Sequence, residues 1–377
     1  MNNADRLNGQ WIGKYTGTSN GATHVNIDQN ESNYQGVAYL FDNNPQLPPA
    51  VAYFSTPNKE RDFSSRTQMI QAIDRETHVA VPWKSVEAKY PEGTTFADYA
   101  DVRGSCDQDT LTLSWVTNTR ATGTCALPRS KSDQPSELVA EQLDWRAYKE
   151  HGIQLASKRP LFRGQNRPWR LRTPFHRSGR ADLHQFAFKD VANLHRHLSP
   201  IAKHVFKLED QNEYGAFLNL VQHHGYPTPI LDWTYSPYVA AFFAYRGITN
   251  KEAASAPSQA KVRIFIFDSA EWSRSWQPAT LLVHPQLHVT VREFTAIDNE
   301  RMIPQQAAST VTSVDDIETH IRNRETDKKK YLQAIDLPMG ERKQVIRELS
   351  YMGITAGALF PGLDGACEEL AERNFEF

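Results

Sequence analysis

The spacing of apolar residues changes at about residue 135, and that change constrains the fold more than any single motif. Before it, short stretches alternate apolar and polar residues: "GQWIGKYTGT", "THVNID", "YQGVAYLF", "AVAYFST", "DTLTLSWVTN" and "TGTCALP". Gly, Asn and Pro punctuate them. Trp11, Gly13 and Tyr15 share one face at period two, as do Leu111, Leu113 and Trp115. Short strands at this spacing predict a small antiparallel β barrel or sandwich over residues 1–135. After the polar linker "SKSDQPSE" (Ser130–Glu137), helical patterns such as "SELVAEQLDWRAYKEHG" and "DVANLHRHLSPIAKHVF" alternate with strand-like "VRIFIFD" and "LHVTVREF". The chain therefore reads as α+β, a β-rich domain followed by a mixed α/β domain over residues 136–377.

A chain of 377 residues, 40% hydrophobic and 23% charged, can bury two cores. Its formal net charge of -2 gives no global attraction to nucleic acid or anionic membrane, so polyanion binding needs a local basic face. No apolar run approaches the roughly 20 residues of a membrane span. "MNNADRLNGQ" lacks the charged and apolar regions of a secretory signal, so the expectation is a cytoplasmic protein without a membrane partner. Cys106, Cys125 and Cys367 form no CxxC and read as free structural thiols, although Cys106 and Cys125 could pair across a hairpin.

Two apparent motifs carry no chemistry. "GTSNG" (Gly17–Gly21) satisfies G-x-S-x-G, but strand-like "ATHVNID" follows it where a nucleophile elbow needs a helix, so it reads as a hairpin turn. The histidines between His176 and His224 include His195 with His197 and adjacent His223 and His224. That spacing does not put two rings on one metal, so these read as surface and cap residues, and no metal is expected.

Four segments of the second half carry the informative polar residues. In "LFRGQNRPWRLRTPFHR" (Leu161–Arg177), Arg163 stands at a strand end beside Gly164. A guanidinium there suits a phosphate or pyrophosphate as well as a structural ion pair, and Gly164 permits a turn or a close backbone approach. "QHHGYPTPILDWTYSPYVAAFFAY" (Gln222–Tyr245) predicts a short buried strand at "PILDW". A buried helix then starts with Ser236 as N-cap and Pro237 at its first position. It places His223, Tyr226, Asp232 and Trp233 around that transition. "DNERMIPQQAAST" groups Glu300, Arg301, Gln305 and Gln306 in one polar patch. In the last segment Val345, Ile346, Leu349 and Met352 make a helical stripe closed by Gly353, and Asp364 is placed as the cap of a final helix.

In this order, "FRGQ" with "WRLRTPFHR", "QHHGYPTPILDWTYSPYVAAFFA", "NERMIPQQAAST" and "LFPGLDG" resemble the FRG domain family from about Leu155 to Leu370. The family usually has a basic residue where Pro229 stands, a Gly where Ala307 stands and an aromatic where Ser309 stands. Residues before about Ser136 lie outside the resemblance. The layout is also similar to that of ADP-ribosyltransferases, which implies a split sheet. Arg163 would lie on its first strand, "LDWTYSPYVAAFFA" would supply a strand and buried helix, and Glu300 would lie later, where "NERMIPQQ" faintly resembles an "NEY" glutamate strand.

That resemblance implies NAD as substrate and cleavage of its nicotinamide–ribose bond through an oxocarbenium-like centre. Arg163 would bind phosphate or ribose, and His223 and Asp232 would hold the ribose or orient Arg163. Trp233 or Tyr226 would stack on the nicotinamide, and Glu300 would stabilise the cation through the 2′-hydroxyl. Gly164, Ser236, Arg301 and Gln306 complete the expected cofactor pocket. The acceptor would be a macromolecule, RNA, DNA or protein, as for a toxin of a toxin–antitoxin or anti-phage system. An antitoxin or regulator would restrain it. Arg167, Arg170, Arg172, Arg177 and Arg180, interleaved with Trp169, Phe175 and His176, suit a single-stranded nucleic acid or an ordinary ion-paired face. The alternatives are an NAD glycohydrolase and a nucleotide-binding module without turnover.

Overall fold

The computed structural model describes residues 7–155, 157–279 and 282–375. Ten strands build the first sheet. They are β1 (Gly9–Gly17), β2 (Gly21–Gln29), β3 (Tyr34–Asp42), β4 (Ala50–Ser55), β5 (Asp62–Arg66), β6 (Met69–Ile73), β7 (Ala80–Val81), β8 (Ala100–Cys106), β9 (Thr110–Thr117) and β10 (Thr122–Pro128). Their order is β5-β8-β9-β10-β1-β2-β3-β4-β6-β7. The alternation read from sequence is realised, with Trp11, Tyr15, Leu111, Leu113 and Leu127 buried on one face. "GTSNG" is the hairpin between β1 and β2.

The sheet is curled so that its margins meet. β5 pairs with β8 and β6 with β4, yet β5 and β6 are separated by only two residues. Between them Thr67 N donates to Ala100 O at 2.9 Å and Gln68 N to Tyr53 O at 2.7 Å. The hydrogen-bond ladder itself does not close. The barrel or sandwich expected for this segment is instead one curled antiparallel sheet, because the run 62–73 crosses between margins and pairs with each over only half its length.

Seven strands form the second sheet: β11 (Glu141–Gln142), β12 (Leu161–Gln165), β13 (Ile230–Thr234), β14 (Lys261–Phe267), β15 (Val289–Arg292), β16 (Ala307–Thr312) and β17 (Leu332–Pro338). Their order is β11-β17-β14-β12-β13-β16-β15, antiparallel except for β11 beside β17. β12 makes five register pairs with β14 but only one with β13, Phe162↔Thr234. The ladder thus stops in mid-sheet beside Arg163. One face carries a core built on the helix Pro237–Tyr245 with Trp145, Tyr148 and Phe162. The other is built on Leu161, Trp233, Phe265 and Phe267.

Several local expectations shift by a few residues. The helix read into "SELVAEQLDWRAYKEHG" begins only at Trp145, where the Asp144 carboxylate accepts from Ala147 N at 2.7 Å; Glu141–Gln142 is an edge strand. The last helix, Leu363–Phe375, has Asp364 within its first turn instead of at its cap. The linker is pinned: Ser136 N donates to Pro168 O at 2.8 Å, and buried Arg263 donates to Ser136 Oγ at 2.7 Å and to both oxygens of Asp336.

The outer face of the curled sheet docks on the second domain. Asp28 accepts from Ala181 N at 2.6 Å, Asp182 N at 3.1 Å and Arg180 Nε at 2.8 Å. Gln10 Nε2 donates to Ser313 O at 2.8 Å, and its Oε1 accepts from Asp315 N at 3.0 Å. Cys106 and Cys125 are buried, Cys367 is exposed, and all three are free thiols.

Not all histidines are surface residues, and His176 corrects that expectation. It is fully buried, with Nδ1 against Thr173 Oγ1 at 2.7 Å. Burial pushes His176 and His288 down to about 4 and His24 down to about 3. Below the ordinary histidine value the unfolded chain takes up these protons and the folded chain does not, so stability falls as the pH drops from about 6.5 towards 4. Each such ring contributes about 1.4 kcal/mol per pH unit. Asp182 opposes one of them over part of this window, because burial raises its carboxyl to about 6 and the folded state then holds the extra proton. Urea midpoints should therefore be clearly lower at pH 5 than at pH 7. An equal or higher midpoint at pH 5 would contradict the buried neutral rings.

Candidate functional site

The gap between β12 and β13 is filled by the side chain of Arg163. Its Nη1 donates to Asp232 O at 2.6 Å, taking an acceptor that a continued ladder would have used. Its Nε is buried without a partner, and no carboxylate pairs with it among the described residues. Burial lowers its pKa to about 10, against the pull of Asp232 and with the repulsion of Arg177. At neutral pH it remains a charged group with an unused donor. Such a group is costly to keep unless something negative arrives.

Next to it, Gly164 lies directly under the helix Pro237–Tyr245. A Cβ there would sit 1.9 Å from Ala240 O and 2.7 Å from Ala244 N. The close approach read from the sequence is thus to the protein's own helix. That helix starts as expected, with Ser236 Oγ accepting from Val239 N at 3.2 Å.

Phe162, Arg163, Gly164, Asp232, Phe243 and Phe360 line a cleft of about 280 Å³ together with Gln222, His223, Arg301 and Gln305. Gln222 Nε2 donates to Asp232 Oδ2 at 2.6 Å and in turn accepts from Thr228 Oγ1. His223 Nδ1 lies 2.9 Å from Asn299 Oδ1, so a neutral ring carries its proton on Nδ1 and leaves Nε2 as an acceptor. Asn299 Nδ2 donates to Asn219 Oδ1 at 2.6 Å, and Arg301 Nη1 to His223 O at 2.9 Å. Gln305 Nε2 donates to Leu359 O at 2.9 Å, tying the loop after β15 to Phe360. The Phe360 ring faces two guanidinium groups, Arg246 at 3.9 Å and Arg301 at 5.4 Å.

A polar trough of about 500 Å³ continues from the cleft, sharing Arg163, Gly164 and Phe243 and adding Asn166, Trp169 and Arg177. Part of the basic run beside it is structural. Buried Arg170 pairs with Asp316 at 3.0 Å, Arg172 with Asp315 at 2.5 Å and Arg180 with Asp28 at 2.8 Å. Arg177 donates to Arg172 O at 3.0 Å and, like Arg163, has no carboxylate partner among the described residues. Against Asp133, the one carboxylate of its lining among the described residues, the unpaired Arg163 and Arg177 leave the trough with net positive charge.

Of the residues singled out in the sequence, Arg163, Gly164, His223, Asp232, Arg301 and Gln305 come together at the cleft. The others do not. Trp233 reaches the cleft lining, but its side chain points away from Asp232 at period two. The ring packs on Phe267 and its Nε1 donates to Thr310 Oγ1 at 3.1 Å, so it cannot stack on a ligand. Tyr226 packs towards Phe186 in a separate core. Ser236 is spent as the helix cap. Glu300 is exposed and outside the lining, so the carboxylate of the cleft is Asp232. Gln306 is exposed in a left-handed conformation, φ 47°, and its neighbour Gln305 faces inward instead. Gln222, Phe243, Arg246 and Phe360 were missed as site residues. Phe360 stands in the quoted "LFPGLDG", and Gln222 is next to His223 in the sequence. Among the described residues no group of His, Cys, Asp and Glu is placed to hold a metal ion, and no helix is long and apolar enough to cross a membrane.

Comparison with curated proteins finds no match. Among solved structures, a redesigned β barrel, mFAP1, bound to DFHBI, matches at 13% identity and a TM-score of 0.24, over 33% of this chain and 97% of that one. Residues 158–253, the stretch holding Arg163, His223, Asp232 and the helix Pro237–Tyr245, match the family model of the FRG domain.

Proposed function

We propose that the cleft and its trough bind NAD and break its nicotinamide–ribose bond, passing ADP-ribose to a macromolecular acceptor, nucleic acid or protein. The observation that carries the reading is Arg163, a charged guanidinium in a mid-sheet gap with a buried, unused Nε and no carboxylate partner among the described residues. A pyrophosphate supplies the missing acceptor, and Arg177 in the adjoining trough adds a second positive charge. The interrupted sheet at β12 and β13 is consistent with a split-sheet fold. Asp232, with Oδ2 held by Gln222, offers a fixed carboxylate to positive charge on the ribose, the part first given to Glu300. His223 Nε2 and Gln305 would orient hydroxyl groups. The aromatic surface available to a nicotinamide is that of half-buried Phe243, since Arg246 and Arg301 already cover the Phe360 ring.

The exposure of Glu300 favours a second reading, in which the same cleft holds a nucleotide without turning it over. Purified protein incubated with NAD, assayed for nicotinamide release and for transfer of biotin-labelled ADP-ribose, separates the two. The proposal expects release by the wild type and at least a hundredfold loss in Asp232→Asn, about 3 kcal/mol of transition-state stabilisation, with NAD affinity within a few-fold. Binding without release supports the second reading. No NAD binding at all overturns both.

A further inference from the structure

We propose that the curled N-terminal sheet binds a small neutral apolar molecule, the size of a single aromatic ring or a short alkyl chain, inside its concave face. The site lies in the first domain and rests on nothing said of the cleft. It is a partly open cavity of about 160 Å³ lined by side chains from β2, β3, β4, β6, β8, β9 and β10. Protein interiors rarely leave voids larger than a water molecule, and a small barrel-like sheet normally fills its interior with bulky side chains. Four of the inward positions, Ala38 on β3, Ala50 and Ala52 on β4 and Ala100 on β8, are alanine, beside the larger Leu40 and Phe54. The opposite faces of β3 and β4 carry Val37, Tyr39 and Val51 into a separate hydrophobic cluster with Ile73. The alanines thus leave room between the larger side chains of the cavity side.

The chemistry of the wall selects the ligand. The hydroxyl oxygen of each threonine that lines the cavity is already in a hydrogen bond. Thr23 Oγ1 donates to Tyr39 O at 2.8 Å, Thr67 Oγ1 accepts from Ala100 N at 2.9 Å, and Thr117 Oγ1 accepts from Ala121 N at 3.0 Å. Burial pushes the Cys125 thiol up to about 11, so it stays neutral. No charged residue lines the space. An ionised ligand would lose its hydration and find no opposite charge. A polar one would find only the Thr67 hydroxyl and the weak Cys125 thiol as partners, whereas an apolar one only gains contacts. A dry apolar cavity of about 150 Å³ is known to accept benzene. Phe96 also lines the cavity and stacks on Trp83 at 5.2 Å, adding an aromatic wall for an apolar guest.

The test uses the full chain with toluene and n-butylbenzene, and benzoate as the charged comparator, followed by titration calorimetry and thermal unfolding. Both neutral compounds should bind one saturable site and raise the melting temperature, and benzoate should not bind. Ala38→Leu and Ala52→Leu, which fill the space, should each weaken binding at least about tenfold, or 1.4 kcal/mol, without lowering the melting temperature. In the wild type, nuclear Overhauser contacts should link toluene to the methyl groups of Ala38 and Ala52, a readout that needs no variant. Failure of toluene to saturate, equal affinity in both filled variants, or contacts only to residues outside this cavity would overturn the proposal.

Discussion

Arg163→Met is expected to abolish NAD binding while leaving the fold as stable as before, or more so. The guanidinium contributes one visible bond, to Asp232 O, and keeps a buried Nε unsatisfied. Its pKa falls from the usual 12.5 to about 10 because burial penalises the charge. For a base whose folded pKa is depressed, the cost is fully present at neutral pH and fades only as the pH rises through 10. Methionine keeps much of the length and volume and removes the charge. The relief, a few kcal/mol at most, offsets the loss of one bond to a carbonyl, about 1–3 kcal/mol. A ligand phosphate, in contrast, loses one or two charge-assisted bonds of roughly 1.5–3 kcal/mol each, a drop in affinity of a hundredfold or more. A structural arginine behaves in the opposite way: removing one partner of a buried pair costs about 3–5 kcal/mol. Calorimetric NAD titration and urea unfolding of the same variant decide the matter. Retained affinity with a large loss of stability would make Arg163 a structural residue and leave the cleft without its anion anchor.

Arg163 also shows what the sequence could and could not reveal about the site. A guanidinium beside a glycine at a strand end was visible, but whether it meets a carboxylate depends on which segment lies across the gap. For Arg170 and Arg172 that segment is 315–316, about 145 residues away, and they are neutralised. For Arg163 the segment across is a backbone carbonyl. Long-range pairing of this kind leaves no local periodicity to read. The period-two rule, by contrast, was enough to correct Trp233. Once "ILDWT" is a strand, Asp232 and Trp233 must point to opposite faces, and only one of them can serve the cleft. Ser236 and Pro237 gave the helix start because capping is local chemistry. The curled first sheet was half legible. Its strands alternate cleanly, but the closure depends on where the run 62–73 changes partner, and no residue there announces it. Glu300 stands in a polar patch after a strand-like segment and matches the expected layout, but neither fixes where its side chain points. Its position in a turn, after a left-handed Asp298 at φ 53°, turns it to solvent.

Gly164→Ala is expected to be among the most damaging single-methyl changes in the second domain, through packing and not through ligand contact. The added Cβ would stand 1.9 Å from Ala240 O and 2.7 Å from Ala244 N, both backbone atoms of one helix, so no side chain can rotate away. Either the helix or the strand must move by more than an ångström. The helix is held on every side: Ala240 and Ala244 are fully buried, and Ser236 caps its start. The hydroxyl of Tyr148 donates to Pro237 O at 2.8 Å and that of Tyr245 to Pro338 O at 2.8 Å. The strand is held by five register pairs with β14. Overpacking of a rigid core costs typically 1–3 kcal/mol and occasionally more; with both partners fixed, about 3 kcal/mol or more is expected, enough to leave much of a marginally stable domain unfolded. Gln165→Ala, one residue on, should stay within about 0.5 kcal/mol, as surface changes usually do. Urea unfolding followed by tryptophan fluorescence measures both. A Gly164→Ala protein within 1 kcal/mol of wild type that had nonetheless lost NAD binding would return the glycine to the ligand site. Because Arg163 is the preceding residue of the same strand, the helix seated on Gly164 also fixes the height at which that guanidinium enters the gap. A variant that folds with the helix displaced should therefore bind NAD more weakly in proportion to the shift, while Arg163→Met changes binding with no shift at all.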